Sequence, residues 1–166
     1  MSSARSIVGR GHALVAVVIA AWIGASLLTA IVVAPVAFEV LPSRAFAGML
    51  IGRVLRVLFL SGIAVGLIAA AVAWLDRGRH LRPVRIAAAA AMALACAAAQ
   101  FLVGPRIAAI RGAIGSAIDL LGADDARRIA FGRLHALSVG YLAIAMVAAT
   151  VTLWLAFNRR GSPEAV

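Results

Sequence analysis

VLFLSGIAVGLIAAAVAWL at residues 57–75, followed by DRGRHLRPVR at 76–85, decides the fold. The first stretch holds no charged residue and has about the 20 residues an α-helix needs to cross about 30 Å of hydrocarbon. The second crowds Arg77, Arg79, Arg82 and Arg85 into one short turn, which belongs at a membrane surface and not inside it. Working outward, similar apolar runs occupy about 13–38, 84–104 and 137–157. The expected fold is therefore all-α: an integral membrane four-helix bundle spanning 13–158, with a basic tail at 1–12 and a second tail at 159–166.

Composition supports the same class. Of 166 residues, 64% are hydrophobic and only 13% charged, with a mean hydropathy of +1.06, too little polar surface for a soluble globule of this length. All 16 basic residues other than histidine are arginine. They sit in turns beside apolar spans, where lipid headgroups are the nearer anionic partner, so the +10 net charge points to the bilayer and not to nucleic acid. The single cysteine, Cys96, excludes an intramolecular disulfide. Residues 1–34 have the outline of a signal peptide, but the apolar run is longer than a usual h-region, and the segment is expected to be retained as a span.

The arginine count leaves orientation nearly balanced, with eight on each side. Asp76 and Glu164 leave the side of the tails at +6; Glu39, Asp119, Asp124 and Asp125 leave the other at +4. Acids contribute little to the positive-inside rule. The dense 76–85 turn carries more weight and places both termini in the cytoplasm of a bacterial-type inner membrane.

On the opposite side the helices are expected to run past the bilayer. Ser43 to Arg56 extends the second span. From Pro105, Ile107, Ile110, Ile114, Ile118 and Leu121 recur at spacings of three and four, as on an amphipathic helix. Gly122 reads as its C-terminal cap and Asp124 as the N-cap of the last helix, with Asp125 at the positive dipole end. Within the bundle, Gly48 with Gly52 and Gly62 with Gly66 form two GxxxG pairs on nearly one face of the second helix. The alanine-rich third span offers a matching small surface, and a second copy of the chain is the other partner that face would accept. Trp74 and Trp154 fall where indole rings anchor at the headgroup level, while Trp22 falls mid-span.

Counting helical rise brings Arg56, Gln100 and Ser138 to one depth, with Glu39, Arg53, Arg106 and His135 just above. Pro35 and Pro105 interrupt two helices at similar height and are expected to free the carbonyls of Ile31 and Phe101. Such a convergence has the make-up of an intramembrane ligand site. The plainer alternative is structural: Glu39 pairs with Arg53 or Arg56, Gln100 bonds two helices, and the arginines snorkel to phosphates. His135, with Phe131 and Ser138 on its face, would either fix helix register or contact a ligand or proton.

At these residues the chain resembles a known family. Trp22 and Gly24, the PxxFxxL of Pro35, Phe38 and Leu41, Ala47 and Gly48 with Gly52, the Gln100–Pro105 segment, and FGRLHALS at 131–138 together resemble the transmembrane protein 205-like family, catalogued as domain of unknown function 4149. The likeness runs from about Trp22 to Leu142. It implies a small four-helix integral membrane protein and brings no reaction and no catalytic residues. Eukaryotic relatives are associated with resistance to a platinum drug, which hints at metal or solute handling.

Three function classes follow. The first is a non-enzymatic protein that binds or moves a small solute or lipid headgroup at Glu39, Arg53, Arg56, Gln100, Arg106, His135 and Ser138. The second is an accessory subunit, docked through the glycine faces to a membrane-protein partner or a second copy. The third is a haem or copper protein; His12 and His80 lie at one membrane face and His135 at the other, which leaves Met92 and Cys96, with Met146, as a soft site, and apolar filling is the simpler role for all three. No paired carboxylate, HExxH or GxSxG motif points to an enzyme, and neither a cofactor nor a metal is expected.

Overall fold

In hydrocarbon every backbone N–H and C=O must find its partner within the segment, and runs of Ala, Leu, Ile and Val can do so only as helices. The computed structural model describes residues 2–76, 81–114, 121–122 and 124–157, with residues 2–10 and Ile114 described by backbone alone. Four helices are long and apolar enough to cross a membrane: Gly11–Val40, Arg44–Leu75, Arg82–Ala113 and Ala126–Phe157. The protein is thus a multi-pass, all-α four-helix membrane bundle. Each 32-residue helix is about 48 Å long, well beyond the hydrocarbon thickness, so its ends reach the headgroups or past them.

The first crossing consists of α1 (Ser2–Leu28), a π-helical turn at Thr29–Val33, and α2 (Ala34–Val40). The second is α3 (Arg44–Leu75). The third repeats the design of the first, with α4 (Arg82–Ala97), a π-helical turn at Ala98–Val103, and α5 (Gly104–Ile114). The fourth is α6 (Ala126–Phe157). Going round the bundle, α1 packs on α3, α3 on α4, α4 on α6, and α6 back on α1. His12, Asp76, Arg85 and Phe157 lie at one end, called the near end. The far end holds the start of α3, the end of α5 and the start of α6.

Each π turn ends two residues before a proline. Ala34 N–H reaches back five residues to the Thr29 carbonyl, and Gly104 N–H to the Ala99 carbonyl. Widening the turn by one residue relieves the clash between the pyrrolidine ring and the preceding turn. It also moves the carbonyl opposite each missing proline N–H to Ala30 and Gln100. These positions are one residue before Ile31 and Phe101, where regular α-helical register places the openings.

Three end assignments also change. The N-terminal segment is not a tail up to residue 12: α1 begins at Ser2, and His12 is buried against the bundle. The cap of α6 is Asp125 rather than Asp124, because Asp125 Oδ1 accepts the Arg127 backbone N–H at 2.8 Å, which leaves Asp124 exposed in the turn. Helix α5 is described to Ile114, and Leu121 is not helical. Ile118, Asp119, His80, Arg77 and Arg79, and the tail from Asn158 on, lie outside the described residues.

Packing follows residue size, since lipid is as apolar as leucine and close van der Waals contact must hold the helices together. A Cβ placed on Gly66 would come within 2.9 Å of the Ala89 carbonyl oxygen and of Ala93 N and Cβ, so α3 and α4 touch backbone to backbone there. One turn earlier, the space at Gly62 is filled by Cys96 Sγ and the Trp22 ring. Trp22 Nε1 donates to the Leu58 carbonyl at 2.9 Å, pinning α1 to α3, and Ser61 Oγ donates to the same carbonyl at 3.0 Å. Met92 and Cys96 are fully buried in the core around Ile19, Phe59 and Leu142, and Met146 packs against that cluster. Trp74 and Trp154 face outward, and Arg82 lies over the Trp74 ring at 4.8 Å.

A candidate anion site at the far end

On α3 the residues Gly48, Ile51, Gly52, Leu55, Arg56 and Phe59 recur at spacings of three and four and make one face. That face looks across a cavity of about 420 Å³ toward α5 and α6. Opposite stand Gln100 in the second π turn, Gly104, Pro105 and Arg111 from α5, and His135 and Ser138 from α6. Helix α2 contributes Phe38, and Arg53 sits one turn above Arg56.

Arg111 is the most constrained of these groups. One guanidinium nitrogen donates to the Gly48 carbonyl at 2.8 Å. A Cβ on Gly48 would come 2.8 Å from the other, and one on Gly52 would come 3.1 Å from the first. The outer GxxxG pair therefore seats a guanidinium, whereas the inner pair seats helix α4. On its other side Arg111 lies 5.3 Å from the centre of the Phe131 ring, which stacks nearly parallel to His135 at 6.4 Å between centroids. The cation, the ring and the imidazole are thus in sequential contact, with Arg111 and His135 both lining the cavity.

Of the sequence-derived candidates, the structure brings Arg53, Arg56, Gln100, His135 and Ser138 to this cavity. Ser138 is buried, Gln100 is half-buried, and Arg53, Arg56 and His135 are exposed at the rim. It leaves out Glu39 and Arg106. Ala37 is the α2 residue packed on α3, and Glu39, about 200° further around the helix, faces away and is exposed. Among the described residues Glu39 forms no ion pair with Arg53 or Arg56, contrary to the structural alternative above. Arg106 is also exposed and folds back onto its own helix, donating to the Leu102 carbonyl at 3.1 Å. Gly48 and Gly52 line the cavity and belong to the site as much as to packing.

Sequence reasoning missed Arg111. A signal was present: Arg111 is four residues after Ile107, within the isoleucine stripe of α5, and a charge on the apolar face of an amphipathic helix calls for a partner. The near-end cluster was missed as well. There Asp76 Oδ2 lies 3.1 Å from both a guanidinium nitrogen of Arg85 and His12 Nε2, with His12 and Arg85 buried. It ties α1, α3 and α4 together. Outside the spans, hydrogen bonds from the Arg127 side chain, helped by its backbone N–H, hold the Asp125 carboxyl down at about 2.

Among the described lining residues are three arginines, Arg53, Arg56 and Arg111, and no carboxylate. Arginine forks recognise tetrahedral and planar oxyanions through paired N–H donors. Fold and site together define a multi-pass helical membrane protein with a cationic cavity at one end. The chain belongs to the family described as Domain of unknown function (DUF4149), whose model matches residues 17–115. Arg53, Arg56, Gln100 and Arg111 fall inside the matched segment, while Phe131, His135 and Ser138 follow it. No curated protein and no solved structure matches the chain.

Proposed function

We propose that the protein is a non-enzymatic membrane protein that binds, or helps to move, a small anionic solute or a lipid headgroup in the far-end cavity. The observation that carries this reading is three guanidinia, with no carboxylate among the described lining residues, around about 420 Å³ of space. Unpaired like charges held together repel one another, and an oxyanion in their midst relieves that repulsion while accepting their N–H donors. The dense 76–85 turn supports a cytoplasmic near end, and with that orientation in a bacterial-type inner membrane the cavity would open at the outer leaflet. The resemblance to the transmembrane protein 205-like family, whose eukaryotic relatives are associated with drug resistance, is in keeping with this reading.

Thermal unfolding of the detergent-purified protein, in phosphate or sulfate against chloride at equal ionic strength, tests the proposal. Ligand at about 100 times its Kd should stabilise the fold by about 2.7 kcal/mol. The shift should vanish in Arg111→Gln and in Arg53→Gln. Equal unfolding temperatures in all three salts for the unaltered protein would refute it.

A second reading, assembly with another copy of the chain, is favoured by α6. Gly132, Ala136 and Gly140 form an exposed stripe one turn apart, and a Cβ on either glycine would meet nothing within 4 Å. Cysteine crosslinking at Ala136 in native membranes tests it: a crosslinked dimer supports the reading and a monomer removes it.

A further inference from the structure

The cavity is much larger than a phosphate or sulfate ion and has two kinds of wall. Its charged groups are Arg53, Arg56 and Arg111; its apolar side is made by Phe38, Leu55 and Phe59. Of the apolar residues Phe59 lies deepest, while Leu55 falls between Arg53 and Arg56 along α3 and Phe38 stands beside the outer part of that face. Arg56 lies twenty residues before Asp76 on one continuous helix, about 30 Å along its axis, which is the hydrocarbon thickness. The guanidinia of α3 are therefore level with the phosphates of the leaflet opposite the near end. Phe59 lies one turn below Arg56, toward the hydrocarbon, while Phe38 stands half-exposed beside the cavity.

Resting on the anion-binding reading, the geometry points to a more specific ligand: a phosphate-headed amphiphile, with a phosphomonoester between Arg53, Arg56 and Arg111 and its chain passing Leu55 and Phe59 toward the hydrocarbon. A phosphomonoester carries about −1.5 to −2 charge at neutral pH, which answers three guanidinia better than a singly charged phosphodiester. Arg111 is prepared for the role. The Gly48 carbonyl and the Phe131 ring fix its plane, so little freedom is lost when an oxyanion arrives. Gln100 at the base and Ser138 on the wall add neutral donors for remaining phosphate or glycerol oxygens. An arginine that merely snorkels has no need of a glycine seat or of a carbonyl on a neighbouring helix; Arg111 has both.

The test is native mass spectrometry of the detergent-purified protein, titrated separately with dioleoyl phosphatidic acid, dioleoyl phosphatidylglycerol and dioleoyl phosphatidylcholine, with inorganic phosphate as competitor. The expected result is retention of phosphatidic acid at concentrations about tenfold below phosphatidylglycerol, with phosphatidylcholine weaker still, as the loss of a charge-assisted contact implies. Arg111→Gln and, independently, Arg56→Gln should abolish that preference, so a folding defect in one variant leaves the other as a test. Equal retention of the two anionic lipids, or a preference that survives both substitutions, would overturn the assignment. Inorganic phosphate that binds and depends on Arg111, with no preference for phosphatidic acid, would overturn the amphiphile and keep the solute reading. Binding of neither phosphate nor lipid would remove both.

Discussion

Replacing Gly66 with alanine should damage the bundle more than the same change at Gly48, although both residues belong to GxxxG pairs. At Gly66 the new methyl would lie 2.9 Å from three atoms: the Ala89 carbonyl oxygen, Ala93 N and Ala93 Cβ. Favourable carbon contacts fall at about 3.5–4.0 Å, so the methyl is about 0.6 Å too close. Two of the three atoms are backbone, and no rotamer change moves them. Helices α3 and α4 must then part along their seam. A gap of 0.5–1 Å forfeits about a quarter to a half of each neighbouring contact, and overpacking of this kind costs about 1–3 kcal/mol. Better helix propensity returns up to about 1 kcal/mol, leaving a net loss centred on about 1 kcal/mol. At Gly48 the methyl meets only the Arg111 guanidinium, the far end of a flexible side chain, and stability should change by less than about 0.5 kcal/mol. Reversible unfolding in mixed micelles with increasing dodecyl sulfate, followed by circular dichroism, measures both. If Gly66→Ala unfolds with the unaltered protein, or if Gly48→Ala is the more damaging change, the backbone-to-backbone seam between α3 and α4 is refuted.

The other expectations can be checked with the same preparations. Gly48→Ala should push Arg111 off its seat and weaken phosphate binding about tenfold while leaving the fold intact; unchanged affinity in the thermal-shift assay would mean that the seat has no bearing on the site. Trp22→Phe removes the indole donor to the Leu58 carbonyl and should cost about 0.5–1.5 kcal/mol in the micelle assay, because Ser61 still donates to that carbonyl. Asp76→Asn takes the carboxylate from between the buried Arg85 and His12 and should cost about 3 kcal/mol; a loss below about 0.5 kcal/mol would show that water already serves those groups. The Asp125 carboxyl, held down at about 2 by Arg127, should titrate near that value by carbon NMR. Because its pKa is lowered on folding, the stability it adds is present above the usual carboxylate range near 4 and is lost as pH falls through 2; a midpoint near 4 would show that the cap does not form.

The far-end site was partly legible in the chain because a helix converts residue number into height. Arg53, Arg56, Gln100, His135 and Ser138 could be set at one level by counting, and the structure brings all five to the cavity. Counting fails for direction around the axis. Glu39 and Arg106 have the right height, but their side chains face outward, and the π turns before Pro35 and Pro105 alter the angular register that sequence spacing assumes. Arg111 went unseen because its height alone looked extramembrane, while its partner, the Gly48 carbonyl, lies 63 residues away in the chain.

By itself the sequence determined the class and the number of helices, since about twenty apolar residues between arginine-rich turns admit no other structure in hydrocarbon. It also placed the prolines and the small residues that make close approach feasible. Which glycine pair receives a helix and which a guanidinium, which acid caps α6, and that the far-end cavity gathers three arginines were decided by tertiary packing. Those outcomes depend on the rotation of each helix about its axis. In a bundle, rotation is set by the contacts each helix makes with its neighbours across the core, and no local stretch of sequence contains them.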